Sequence, residues 1–135
     1  MARVLIIEDD DDGRLTMSQV LHDAGHEVLL AENGVVGLDL LHGLRDAPRP
    51  DIVLLDLMMP DLNGWGFLAA VRSDPVVNRV PIVVITAMGA IDARKKELTG
   101  AAFILHKPIN LDLLLTTVDR SVHPRSSAPP FPDTT

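Results

Sequence analysis

The chain has 135 residues, 47% of them apolar, with a formal charge of −7 and no cysteine. That length suits one domain with a real core and is short for two. The acidic balance, with no local Lys/Arg cluster, argues against direct nucleic-acid binding, and the missing thiols remove disulfide frameworks and thiolate zinc sites.

The opening run Met1–Ile7 resembles the start of a signal peptide, but five acids, Glu8–Asp12, end it at once. No apolar run reaches membrane-spanning length. A cytoplasmic domain that does not enter a membrane is therefore expected.

In chain order, the first element is Val4–Ile7, an unbroken apolar run of the kind buried on both faces of a parallel sheet. Met17, Val20, Leu21 and Ala24 then fall at helical spacing, with Asp10–Asp12 ahead of them suited to capping and dipole compensation. Glu27–Ala31, after the Gly25-His26 break, is a weaker strand, and Val36, Leu40 and Leu44 form a thinner helical stripe. Ile52–Leu55 is a third strand, and Leu68 with Val71 predicts a short helix after Asn63-Gly64. Ile82–Ile85 is a fourth strand, followed by the faintest helix, over the charge-rich residues 90–100 that Gly100 stops. Ala102–Leu105 closes the set of strands, and Leu111, Leu114, Leu115 and Val118 repeat the helical stripe. Five alternations of strand and helix predict an α/β fold, a doubly wound five-stranded parallel sheet with helices on both faces. The domain should span 1–122. Residues 123–135, with four prolines, read as a flexible tail.

The polar residues sit where such a sheet puts its chemistry. Val4–Ile7 runs into Glu8-Asp9-Asp10, Ile52–Leu55 into Asp56, Ile82–Ile85 into Thr86, and Ala102–Leu105 into His106-Lys107-Pro108. Open parallel sheets bind ligands beyond the carboxyl ends of their strands. Acids, an acid, a hydroxyl and an ammonium should thus meet at one edge. Carboxylates ~5 Å apart at an effective dielectric of ~20 repel by about 3 kcal/mol per pair, so the cluster demands a cation or a raised pKa. A hard ion such as Mg²⁺ (or Mn²⁺) suits all-oxygen ligands.

The ordered set of Glu8-Asp9, Asp56-Leu57-Met58-Met59-Pro60, Asn63-Gly64, Thr86-Ala87 and Lys107-Pro108 strongly resembles the receiver domains of two-component response regulators. These domains have a flavodoxin-like (βα)5 fold. The resemblance implies that Asp56 is the phosphoacceptor and that Glu8, Asp9, Asp56 and the backbone carbonyl of Met58 hold the metal. Lys107 would hold a phosphoryl oxygen and Thr86 would report its presence, assisted by the amide of Ala87. It also implies a cis Lys107–Pro108 bond. Phosphorylation takes Asp56 from about −1 to about −2, leaving one uncompensated negative unit that would draw in the Thr86 hydroxyl. The implied donor is a sensor histidine kinase or a histidine phosphotransfer protein. Output would pass by protein contact to a downstream protein, or to a second copy in a phosphorylation-dependent homodimer, through the last two helices and the strand between them. Such a chain is not an enzyme with turnover; it catalyses only its own phosphorylation and dephosphorylation. It reads as a receiver that stands alone or was excised from a longer protein.

Other readings of the same residues are weaker. Glu8, Asp10, Asp12 and Gly13 match calcium-loop spacing, but the final ligand position is Gln19 and a strand precedes the loop. A phosphohydrolase of the haloacid-dehalogenase kind needs a second acid two residues after Asp56, where Met58 stands. A flavin module needs a Ser/Thr/Gly phosphate cradle where this chain has five acids. A receiver used only for phosphorylation-independent docking would not need its full set of site residues. Trp65 reads as partial packing near the site's rim, and His22, His26, His42 and His123 as surface or edge residues. Met58 and Met88 would flank the phosphoryl group and obstruct water, which predicts a long-lived phosphorylated state. Ile104 takes a position often aromatic in receivers, with Phe103 facing the other side of the sheet, so the usual Thr-to-aromatic coupling is not expected. His106 should be exposed or at an edge.

Overall fold

The structure is a computed structural model that describes residues 2–43, 49–57, 64–87 and 101–122. Five strands, β1 (Arg3–Ile7), β2 (Glu27–Ala31), β3 (Ile52–Asp56), β4 (Ile82–Ala87) and β5 (Phe103–Lys107), pair in parallel in the order β2-β1-β3-β4-β5. The described helices are α1 (Asp11–Asp23), α2 (Gly34–Leu41), α3 (Gly64–Arg72) and α4 (Leu111–Val122). Leu44, residues 90–100 and the tail 123–135 lie outside the described residues.

The unbroken apolar runs are explained by the layers around them. Side chains alternate across a strand, and both faces of this sheet are covered. Leu5, Ile7, Val53, Leu55 and Val84 pack with Leu40 and Leu41 of α2 and with Phe67, Leu68 and Val71 of α3. Val4, Ile6, Ile52, Leu54, Val83, Ile85 and Leu105 pack with Met17 and Leu21 of α1 and with Leu114 and Val118 of α4. A strand in that position cannot present polar residues to either side. It can do so only at its ends.

The helices start where the capping chemistry allows. Asp10 caps α1, its carboxylate accepting from the Gly13 amide at 2.8 Å, and Asn33 caps α2 through the Val36 amide at 2.9 Å. After α1 the chain turns at Gly25, whose φ of 93° lies in the left-handed region that favours glycine. No helix among the described residues is long and apolar enough to cross a membrane.

Two expectations need correction. His26 is not a surface residue but is 7% exposed, its Nδ1 accepting from the Ala2 amide at 3.0 Å and its Nε2 lying 3.5 Å from Asp119 Oδ1. Trp65 belongs to the apolar cluster between the sheet and α2/α3 and is 6% exposed, more deeply packed than a rim position requires. His106 is exposed on the edge strand β5, as expected, and Ile104 is 37% exposed, while Phe103 packs on the α1/α4 face.

Candidate functional site at the carboxyl ends of the strands

Register and pleat decide which polar groups meet. Ile7 pairs with Leu55 and Asp56 with Ile85, so Glu8, one residue past Ile7, stands level with Asp56. Both carry the same alternation as Ile6 and Leu54 and therefore point to the α1/α4 face. Lys107, two residues past Leu105, shares that face and pairs through its backbone with Ala87. Its ammonium lies 3.2 Å from Glu8 Oε1 and 3.4 Å from Asp56 Oδ2. The position lies beside the point where strand order reverses, between β1 and β3.

Carboxylate oxygens of Glu8, Asp9 and Asp56 lie within 4.8 Å of one another. Glu8 and Asp56 are 1% and 5% exposed, whereas Asp9 is open to solvent. Burial and the neighbouring Asp56 carboxylate push Glu8 up from 4.5 to about 7, against the opposing pull of Lys107. Burial draws Lys107 down, but the Asp56 and Glu8 carboxylates outweigh it and hold the ammonium above its ordinary value. A divalent cation would relieve this crowding, and three carboxylates form a hard all-oxygen donor set that fits Mg²⁺. Asp10 and Asp12 stay outside the cluster, and the Asp10 carboxylate is spent on the Gly13 amide. The calcium-loop reading therefore has no support.

Thr86 follows Ile85 on β4 and carries the opposite alternation, with the α2/α3 face. Among the described residues, its fully buried Oγ1 is the buried side-chain polar atom without a hydrogen-bond partner. An unpaired buried hydroxyl costs about 1–3 kcal/mol. Such a cost is tolerated where another state supplies the acceptor. Lys107–Pro108 is cis, as the resemblance implied. Met58 and Met88 lie outside the described residues, and Ala87 contributes its backbone to the end of β4.

Beside the acids a cleft of about 350 Å³ opens between Gly13, Thr16 and Met17 of α1 and the Pro108–Leu111 connection. The short approach of α3 to β3 needs glycine: a Cβ on Gly64 would lie 2.3 Å from Leu57 Cα and 2.6 Å from the Asp56 carbonyl oxygen. The Gly64 amide donates to the Leu57 carbonyl at 2.9 Å and closes that approach.

One contact was not legible in the sequence. Arg14 of α1 donates from Nη1 to the Glu8 carbonyl at 2.8 Å and pairs through Nη2 with Asp11. Its only sequence signal is the Asp11/Arg14 i,i+3 spacing, which many exposed helices share.

Comparison with known proteins agrees with this geometry. The family model for the response regulator receiver domain matches residues 4–119. Protein PilH of Pseudomonas aeruginosa is 32% identical over 120 residues, covering 88% of this chain and 96% of PilH. The transcriptional regulatory protein CusR of Escherichia coli is 36% identical over 118 residues, but the chain spans 49% of its length. The solved structure of the chemotaxis protein CheY4 of Vibrio cholerae superposes with a TM-score of 0.79 at 33% identity, covering 90% of this chain and 98% of that one.

Proposed function

The chain belongs to the response regulator receiver family of two-component systems, and from that membership we propose that it is a cytoplasmic switch phosphorylated on Asp56 by a sensor histidine kinase or histidine phosphotransfer protein. The observation that carries the reading is the meeting of Glu8, Asp9 and Asp56 within 4.8 Å, with the Lys107 ammonium against both buried acids.

In this reading an Asp56 carboxylate oxygen attacks the phosphorus of a phosphohistidine. The new O–P bond forms as the P–N bond breaks, and the electron pair leaves with the imidazole nitrogen. Such a transfer needs mainly positioning and charge neutralisation. Glu8, Asp9, Asp56 and the Met58 carbonyl would hold Mg²⁺, which when bound supplies Lewis-acid stabilisation of the phosphoryl oxygens. Lys107, already against Asp56, would pair with one of those oxygens. Thr86, whose unpartnered hydroxyl lies on the other face of the sheet from the Asp56 carboxylate, would turn toward the phosphoryl group to gain an acceptor, helped by the Ala87 amide, and would so couple the state of Asp56 to the chain after β4. Output would follow by contact with a downstream protein or a second copy.

Intact mass after incubation with acetyl phosphate and Mg²⁺ tests the reading. One added phosphoryl group is expected in the wild type and none in Asp56→Ala. Equal labelling of both, or labelling of neither, would refute it.

A further inference from the structure

We infer that Arg14 is a positioning residue for the acid pair, and that its guanidinium fork sets how well this chain holds a divalent cation. The inference rests on the metal-binding reading above.

Both backbone polar groups of Glu8, the residue just past β1, are held by partners elsewhere in the chain. The Glu8 amide donates to the Ala31 carbonyl of β2 at 3.1 Å, and the Glu8 carbonyl accepts from Arg14 Nη1 at 2.8 Å. Between these two anchors the chain leaves β1 and presents the buried Glu8 carboxylate and the exposed Asp9 carboxylate in succession. Arg14 is itself held. Its second nitrogen pairs with Asp11, and its amide donates to the Asp10 carbonyl at 3.0 Å, within a first turn that the Asp10 carboxylate caps. The side chain is only 15% exposed although α1 is a surface helix. The acid run thus divides its labour: Glu8 and Asp9 face the cluster, Asp10 caps the helix, and Asp11 steadies the arginine.

The sign of the effect separates positioning from simple charge. A lone positive group near the cluster repels a divalent cation, so on Coulomb grounds its removal would tighten binding. A positioning role predicts the reverse. Losing a group that orients metal ligands costs about 10–100-fold in affinity. A lysine keeps the charge but not the two-pronged geometry.

The test is Mn²⁺ binding followed by the electron paramagnetic resonance of the free ion, with Mg²⁺ competition, alongside the melting temperature of the metal-free protein. Arg14→Met and Arg14→Lys should both weaken Mn²⁺ binding about tenfold, and Asp11→Asn should weaken it less. If Arg14→Met fails to fold, Arg14→Lys carries the same comparison. Unchanged or tighter affinity in the folded variants, or full rescue by lysine, overturns the inference while leaving the metal site intact. A wild-type chain that takes up no Mn²⁺ overturns the metal-binding reading itself, and the inference with it.

Discussion

The two rims of the sheet solve opposite electrostatic problems. At the amino rim, opposite charges alternate. Arg3 Nε meets Glu27 Oε2 at 2.7 Å, and the Arg3 amide meets Asp51 Oδ2 at 2.8 Å. Arg49 caps the His42 carbonyl at 3.0 Å, and His42 Nε2 lies 2.6 Å from Asp74 Oδ2. At the carboxyl rim, three carboxylates crowd within 4.8 Å, Lys107 lies against the two buried ones, and a buried hydroxyl goes unpaired. The same strands carry both rims, so the difference belongs to the residues at their ends. Polar groups that satisfy one another hold a fold together, whereas groups left in conflict are suited to a ligand that resolves the conflict.

The contrast can be broken from its crowded side first. Lys107→Met should slow acyl-phosphate formation on Asp56 by about 100-fold or more, read as the rate of mass gain from acetyl phosphate. A loss under about tenfold would mean that this ammonium is not poised for the transfer.

The next effect concerns pH. Because the folded protein raises Glu8 from 4.5 to about 7, it binds more protons than the unfolded chain across that window. Stability of the metal-free protein should therefore fall as pH rises from 4.5 to about 7, by on the order of 2 kcal/mol. Urea melts at both ends of the window should show this slope in the wild type, and neither in Glu8→Gln nor under saturating Mg²⁺. A wild type matching Glu8→Gln would contradict it.

On the amino rim, Asp51→Ala should cost about 1 kcal/mol of stability and leave the rate of phosphorylation unchanged. Loss of the rate along with stability would erase the distinction between rims.

The smallest effect is at His42. The Asp74 carboxylate and the Leu38 carbonyl hold its pKa above 6.5, and Asp74 is in turn drawn below its ordinary value by His42. A raised base stabilises fully below 6.5, and the contribution fades as pH rises through the folded-state value. Asp74→Asn should flatten that part of the melting profile, though only slightly for so exposed a pair. An unchanged profile would show that the His42–Asp74 pair adds nothing measurable to stability.

Much of this was legible because the fold imposes simple patterns. Runs buried on both faces must be continuously apolar, and Val4–Ile7, Ile52–Leu55 and Ile82–Ile85 each lie within an observed strand. The ends were less legible. Pairing continues through Asp56, through Thr86-Ala87 and through His106-Lys107, because backbone hydrogen bonds do not depend on side-chain polarity. The crowding of Glu8, Asp9 and Asp56 followed from their places just past or at the ends of two apolar runs, which a parallel sheet brings to one edge. What was hidden depends on distant partners: His26 is buried because the Ala2 amide and Asp119 come to it, and Arg14 matters through a carbonyl six residues earlier. Neither leaves a local signature.

The chain has one tryptophan and no tyrosine. That indole, at position 65, sits directly after the glycine whose amide locks onto Leu57, beside Asp56. Tryptophan emission from this protein consequently originates at a single address, screened from water in the apolar cluster between the sheet and α2/α3. Unfolding, which opens that cluster to water, can be followed through this one native indole, with no label added and no tyrosine emission to subtract.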